Sequence, residues 1–190
     1  MRDMDELQRT AADAAAGDPL AAATLVRQTQ SDVWRLCAAL GDRNCADDLT
    51  QETYLRAFGA LHRFEGRSSV RTWLLSIARR VCADAVRSRK RRRLTLVRDA
   101  GDLQPVPTAD VGAEGVAVTD LLARLDPDRR EAFVLTQLLG LPYAEAAEVA
   151  GCPVGTIRSR VARARGDLID ALAEDDGAAS GGRERRGTGI

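Results

Sequence analysis

Apolar residues recur along much of the chain at spacings of three and four, the period of a helix with one buried stripe. Leu25, Val33, Leu36 and Leu40 mark a first helix from about Pro19 to Leu40, started by Asp18-Pro19 and broken by Gly41-Asp42-Arg43-Asn44. A second spans about Ala46 to Leu61, with Ala46, Leu49, Thr53, Ala57 and Leu61 inward and Tyr54 and Phe58 beside them. A third runs from Ser69 to about Arg91 on a core stripe of Val70, Leu74, Ile77, Val81 and Ala85, and Trp73 is expected to be mainly core. Arg93 to Gly115 then holds two prolines, three glycines and little periodicity, which predicts a linker. Helical pattern resumes at Val116 and continues to about Ala173, broken at Asp126-Pro127, Gly140-Leu141-Pro142 and Gly151-Cys152-Pro153. The expected fold is all-α: small helical domains at 19–92 and 116–173, a flexible linker at 93–115, an N-terminal extension at 1–18 and a disordered tail at 174–190.

Composition narrows the function. Hydrophobic residues make up 45% of the chain and charged residues 29%, which suits a soluble protein with much exposed helix. No apolar run is long enough to span a bilayer, and the charged start MRDMDELQRT is unlike a signal peptide, so a cytoplasmic location is expected. The four cysteines form no C-x-x-C pair and His62 is the one histidine, so reduced thiols in helices are expected, with neither metal nor cofactor. No H-E-x-x-H, P-loop, G-x-G-x-x-G or G-x-S-x-G occurs, which argues against an enzyme.

The net charge of zero hides segregated patches. Arg63 to Arg98 holds twelve basic residues against Glu65 and Asp84, and Arg158 to Arg165 holds four arginines and no acid. Acids collect at Asp47, Asp48 and Glu52, at Asp99 to Glu114 and at Glu174-Asp175-Asp176. Such segregation points to more than one kind of partner.

From Tyr143 a short helix, a turn with Gly151 and a second helix make a helix-turn-helix pattern. Val154, Ile157, Val161, Ala164 and Leu168 form its packing stripe, and Thr156, Arg158, Ser159, Arg160, Ala162 and Arg163 occupy the other side. Small polar residues and arginines on an exposed helix are what major-groove entry requires, although a solvated basic face would read the same way.

The N-terminal half carries two further faces. Asp47, Asp48, Gln51 and Glu52 cluster opposite the core of the second helix with Leu55 among them, which suits docking on a basic protein surface. In the third helix Thr72, Ser76, Arg79, Arg80 and Arg87 lie largely opposite the core, preceded by the polar loop Phe64-Glu65-Gly66-Arg67-Ser68-Ser69. A loop beside a basic helix can hold unstacked bases of a single strand.

The string Ala46-Asp47-Asp48-Leu49-Thr50-Gln51-Glu52-Thr53-Tyr54 resembles the polymerase-binding segment of region 2 of bacterial sigma factors. Arg63-Phe64-Glu65-Gly66, Thr72-Trp73-Leu74 and Ile77-Ala78-Arg79 look like its promoter-melting part. Pro153-Val154-Gly155-Thr156-Ile157-Arg158-Ser159-Arg160 with Arg163-Ala164-Arg165 looks like region 4. The motifs stand in the family's order, over about residues 20 to 173, with no room for the extra domain of housekeeping sigmas; the extracytoplasmic-function (ECF) subgroup fits best. The resemblance implies that Asp48, Gln51, Glu52 and Leu55 contact the clamp helices of core RNA polymerase, whose flap is a second contact. It implies that Gly66, Arg67, Ser68, Arg71, Thr72, Trp73, Ser76, Arg79 and Arg80 open the −10 element and hold a flipped base. Thr156, Arg158, Ser159, Arg160 and Arg163 would read the −35 duplex, and an anti-sigma factor would restrain the protein. Two positions depart from the pattern, Arg80 for a frequent Asn and Ala162 for a larger residue, and both bear on which promoter is read. A stand-alone regulator would share the helix-turn-helix but needs a sensor domain, and an anti-sigma or adaptor protein has no use for a second DNA-reading surface.

Overall fold

The computed structural model describes residues 2–41, 43–99 and 120–181. Among them every regular element is helical. In the N-terminal half, α1 (Arg2–Ala15) leads to α2 (Pro19–Leu40), α3 (Ala46–Ala60) and α4 (Val70–Asp99), with 3-10 turns at Arg43–Cys45 and Leu61–Arg63. After a helical turn at 120–123 come α5 (Pro127–Phe133), a π-helical turn Val134–Leu138, α6 (Tyr143–Ala150) and α7 (Val154–Gly181).

Local chemistry sets the helix starts. Asp18 Oδ1 accepts from the amides of Leu20 at 2.8 Å and Ala21 at 3.3 Å, and Pro19 fills the first helical position of α2, where no amide is needed. Asp126 and Pro127 repeat the device for α5, with Asp126 accepting from the Asp128 amide at 3.0 Å. Gly151 closes α6 in the left-handed conformation at φ 65°, which glycine adopts without the steric cost of a Cβ, and so makes the turn between α6 and α7.

The predicted stripes of α2 and α3 form the core: Leu25, Val33, Leu36, Ala46 and Ala57 are buried. So are Val70, Leu74, Ile77 and Val81 of α4, and Ile157, Val161 and Ala164 of α7. Trp73 is half-buried, its ring 5.0 Å from that of Phe64. A buried polar link ties α2 to α3. The Thr29 hydroxyl gives its single proton to Leu25 O at 2.7 Å, so Tyr54 must donate in the 2.7 Å bond between their oxygens.

Three boundaries differ from expectation. The extension before Pro19 contains α1, whose Ala11 is buried and whose Leu7 and Ala14 pack on the core. Residues 93–99, expected in the linker, continue α4, because arginine and leucine favour helix and no breaker precedes Gly101. The tail, expected to be disordered, is helical as far as Gly181, since adding a residue to an established helix costs far less than starting one. Residues 100–119 and 182–190, the rest of linker and tail, lie outside the described residues.

All four cysteines are free; Cys37 and Cys82 are buried in α2 and α4, whereas Cys45 ends a 3-10 turn and Cys152 sits in the α6–α7 turn rather than in a helix. A hydrogen bond with Cys37, then burial, pushes the Cys82 thiol well above its usual range and keeps it protonated. No cluster of metal ligands occurs among the described residues, and no helix among them is long and apolar enough to cross a membrane.

Replacing Tyr54 by Phe removes a buried donor while leaving its acceptor in place, which should cost about 1 kcal/mol of stability. Urea denaturation of the two proteins side by side checks this, and equal midpoints would show that the link contributes nothing.

Candidate polymerase and nucleic-acid interfaces

The acidic face of α3 borders a groove of about 740 Å³ between α2 and α3, lined among others by Gln30, Trp34, Asp47, Asp48, Gln51 and Tyr54. Trp34 donates its indole N–H to Asp47 Oδ1 at 2.8 Å, fixing the groove wall. Asp48 and Gln51 are exposed on the groove. Glu52 pairs with Arg56 at 2.7 Å, and Leu55, 66% exposed, follows on the same side of the helix. An apolar side chain held open among carboxylates is a protein-docking feature. Trp34 was missed in the sequence because it belongs to a different helix and reads as part of an ordinary amphipathic face.

A second cavity, about 310 Å³, lies at the start of α4 and is lined by Arg63, Phe64, Glu65, Arg67, Ser68 and Trp73. It combines aromatic faces, a hydroxyl and two guanidinium groups, the set that grips a single unstacked base. Gly66 and Arg67 are exposed on this loop, and Arg67 reaches Glu65 at 2.5 Å. Ser69 caps α4 by accepting from the Thr72 amide at 3.1 Å. Arg80 is exposed two turns further along the helix.

The third face belongs to α7. Arg158, Ser159 and Arg163 are exposed and Thr156 is half-buried, on the side opposite Ile157, Val161 and Ala164. Arg160 turns inward instead, bonding Asp128 of α5 and approaching Cys152 Sγ at 3.7 Å. A neighbouring pair, Arg129 to Asp167 at 2.7 Å, also ties α5 to α7.

The halves meet along α4. Thr72, expected on the polar side, is 1% exposed, and so is Leu75. The C-terminal helices cover this second face. Thr72 donates to Glu145 Oε2 at 2.6 Å, and Ser69 reaches the same oxygen at 3.4 Å. Arg71 spans Asp32 at 2.7 Å and the carbonyl of Leu139 at 2.5 Å. Arg79 pairs with Glu131, a carboxylate only 8% exposed. Pairing with Glu131 raises the pKa of Arg79 further, so the guanidinium remains charged where it is partly buried. Ser76 donates to its own helix, to Thr72 O at 2.9 Å. The nine residues assigned to the melting surface are thus divided: Arg67, Ser68 and Trp73 line the open cavity with Gly66 on the same loop, Arg71, Thr72 and Arg79 bond across the domain contact, and Ser76 and Arg80 stand beside them. Asp32, Glu131 and Glu145 hold this arrangement, and no motif marked them.

Comparison with known proteins agrees with the geometry. Residues 25–92 match the family model described as "Sigma-70 region 2", and residues 115–168 match "Sigma-70, region 4". The chain is 52% identical over 179 residues to the "ECF RNA polymerase sigma factor SigC" of Mycobacterium tuberculosis, covering 92% of this chain and 95% of that one. It is 32% identical to "RNA polymerase sigma factor CnrH" of Cupriavidus metallidurans, over 87% of this chain and 93% of that one. Among solved structures, CnrH in complex with the cytosolic domain of CnrY superposes with a TM-score of 0.68 at 30% identity, covering 87% of this chain and 96% of that one. RpoE of Bartonella quintana in complex with the anti-sigma factor NepR gives 0.61 at 28% identity, over 78% and 94%. The chain belongs to the sigma-70 family. Within it, the relatives are ECF sigma factors, and the protein directs promoter-specific transcription initiation with RNA polymerase.

If Glu131 and Glu145 hold the halves together, the double variant Glu131→Ala/Glu145→Ala should enlarge the free chain in solution. Small-angle scattering reads this as a rise in radius of gyration; an unchanged radius would place the docking energy in the apolar contacts.

Proposed function

We propose that the chain acts as a two-handed DNA reader presented by core polymerase, working by binding rather than catalysis and requiring no cofactor or metal. Asp48, Gln51, Glu52 and Leu55, with the adjoining groove, dock on the clamp helices of the largest polymerase subunit, and the C-terminal half meets the flap. The cavity of Arg63, Phe64, Glu65, Arg67, Ser68 and Trp73 receives one flipped base of the melted −10 strand, and Arg71, Thr72, Ser76, Arg79 and Arg80 follow its backbone. Thr156, Arg158, Ser159 and Arg163 enter the −35 major groove, joined by Arg160 once its bond to Asp128 is exchanged. The functional units are residues 19–92 and 116–173, linked through 93–115, and the protein works in the cytoplasm.

The observation that carries the −10 reading is the open cavity lined by Phe64, Trp73, Ser68, Arg63 and Arg67 at the start of an arginine-rich helix. Extruding a base costs a few kcal/mol of unstacking, which stacking on Phe64 and Trp73 and hydrogen bonds in the cavity would offset. In the free chain Arg71, Thr72 and Arg79 are engaged with the C-terminal half, so the halves separate before strand capture. An anti-sigma factor that grips both halves would hold them in place; the superposed structures are of sigma factors in complex with a partner, CnrY for CnrH and the anti-sigma factor NepR for RpoE.

Run-off transcription with purified bacterial core polymerase and the DNA upstream of the protein's own gene tests the reading. A discrete start site should appear only when the chain is added; no transcript combined with no retention of core would reject it. On the promoter so found, Arg158→Ala and Arg163→Ala should each lower initiation about tenfold, the loss of one base or phosphate contact, while leaving core binding intact. Equal loss on a template with a scrambled −35 element would contradict the assignment to α7.

A further inference from the structure

The loop that frames the −10 cavity has supports of different kinds. Its entry is held by the bond from the Phe64 amide to Leu61 O at 3.0 Å, and its exit by Ser69, which caps α4 and touches Glu145 of the C-terminal half. Its middle rests on α1. At Gly66, which has φ 70°, a Cβ would lie 2.7 Å from Nε2 of Gln8, and among the described residues no other side chain comes within 4 Å of that point. Gln8 is half-buried, and α1 is itself anchored by the buried Ala11 and by Leu7 and Ala14 on the core. The match to region 2 begins at residue 25, after α1.

When the halves separate, Glu145 leaves the loop. The contact between Gln8 and Gly66 lies wholly within the N-terminal half and survives the separation. We propose that Gln8 is a positioning residue for −10 recognition: through Gly66, α1 sets the depth of the loop 64–69 and so selects which base the cavity accepts. Gln8 is not among the residues lining the cavity, so it acts through the loop rather than on the base. A glutamine suits the task because its length reaches the loop from a helix held at a fixed distance. Glycine suits position 66 because of its positive φ, and the lack of a Cβ lets the end of the Gln8 side chain come close without being displaced. The proposal rests on the cavity being the base site.

The test uses the full chain with core polymerase and a promoter library in which the flipped −10 position carries each of the four bases. The readout is the ratio of initiation on the preferred base to that on the others. Gln8→Ala should reduce this ratio about threefold to tenfold, the range of coupling expected between touching residues. Core affinity, dependence on the −35 element and melting temperature should stay as in the unaltered chain, and Gln8→Met, which keeps the length, should restore the ratio. A ratio unchanged in Gln8→Ala, while Trp73→Ala alters it, would overturn the proposal and leave the cavity assignment standing. A ratio that falls only together with the melting temperature would reduce Gln8 to a structural role and overturn it as well. If Trp73→Ala also leaves the ratio unchanged, the cavity is not the base site and both readings fail.

Discussion

The helix α4 has to satisfy two faces at once, and most of the arrangement follows from that demand. One face buries Val70, Leu74, Ile77 and Val81 against α2 and α3 and gives the N-terminal half its core. The other carries Arg71, Thr72, Leu75 and Arg79, groups too polar to be covered without partners and too apolar to be left wholly in water. Glu145, Glu131 and the carbonyl of Leu139 supply the partners, and Leu75 becomes buried in the process. A protein–protein hydrogen bond made in exchange for water is worth only about 1 kcal/mol net, so this second contact can be traded for another polar partner. The apolar face has no such alternative. The polar part of the contact between the halves is therefore more readily exchanged than the core.

What could be seen in the sequence followed the same division. Stripes of Leu, Val and Ile announced α2, α3 and α7 and their inward faces, because burial of large apolar groups leaves a period of 3.6. The exposed set, Asp48, Gln51, Leu55, Arg158 and Arg163, was legible as its complement. Thr72 was not, since a threonine one step off the stripe reads as solvent-facing, and its partner stands 73 positions away. Glu131 and Glu145 looked like ordinary charges on short helices for the same reason. Arg160 has the right spacing for base contact yet bonds Asp128, a pairing fixed by how α5 packs rather than by anything near it in the chain. The N-terminal helix escaped notice because most of its length is polar and the residues it packs, Leu7, Ala11 and Ala14, are mostly small.

The neutral charge of the chain acquires a physical meaning from these contacts. The basic residues of α4 would by themselves attract any phosphate backbone, with an affinity set by the number of contacts and the salt. In the docked form Glu131 of the C-terminal half sits on Arg79 and neutralises that cation, while Arg71 gives one bond to the carbonyl of Leu139 and keeps its ion pair with Asp32 inside the N-terminal half. Arg158 and Arg163 of α7 remain exposed in the same form. On the proposed assignment the two DNA-reading surfaces differ in availability: the duplex reader is presented, whereas part of the strand reader is occupied by Glu131, whose carboxylate stands where a phosphate would. Duplex exists at a promoter before melting and single strand only after it. A protein whose strand-binding cations are released late is matched to that order, because exposed guanidinium groups would otherwise bind duplex phosphates anywhere and compete with specific recognition.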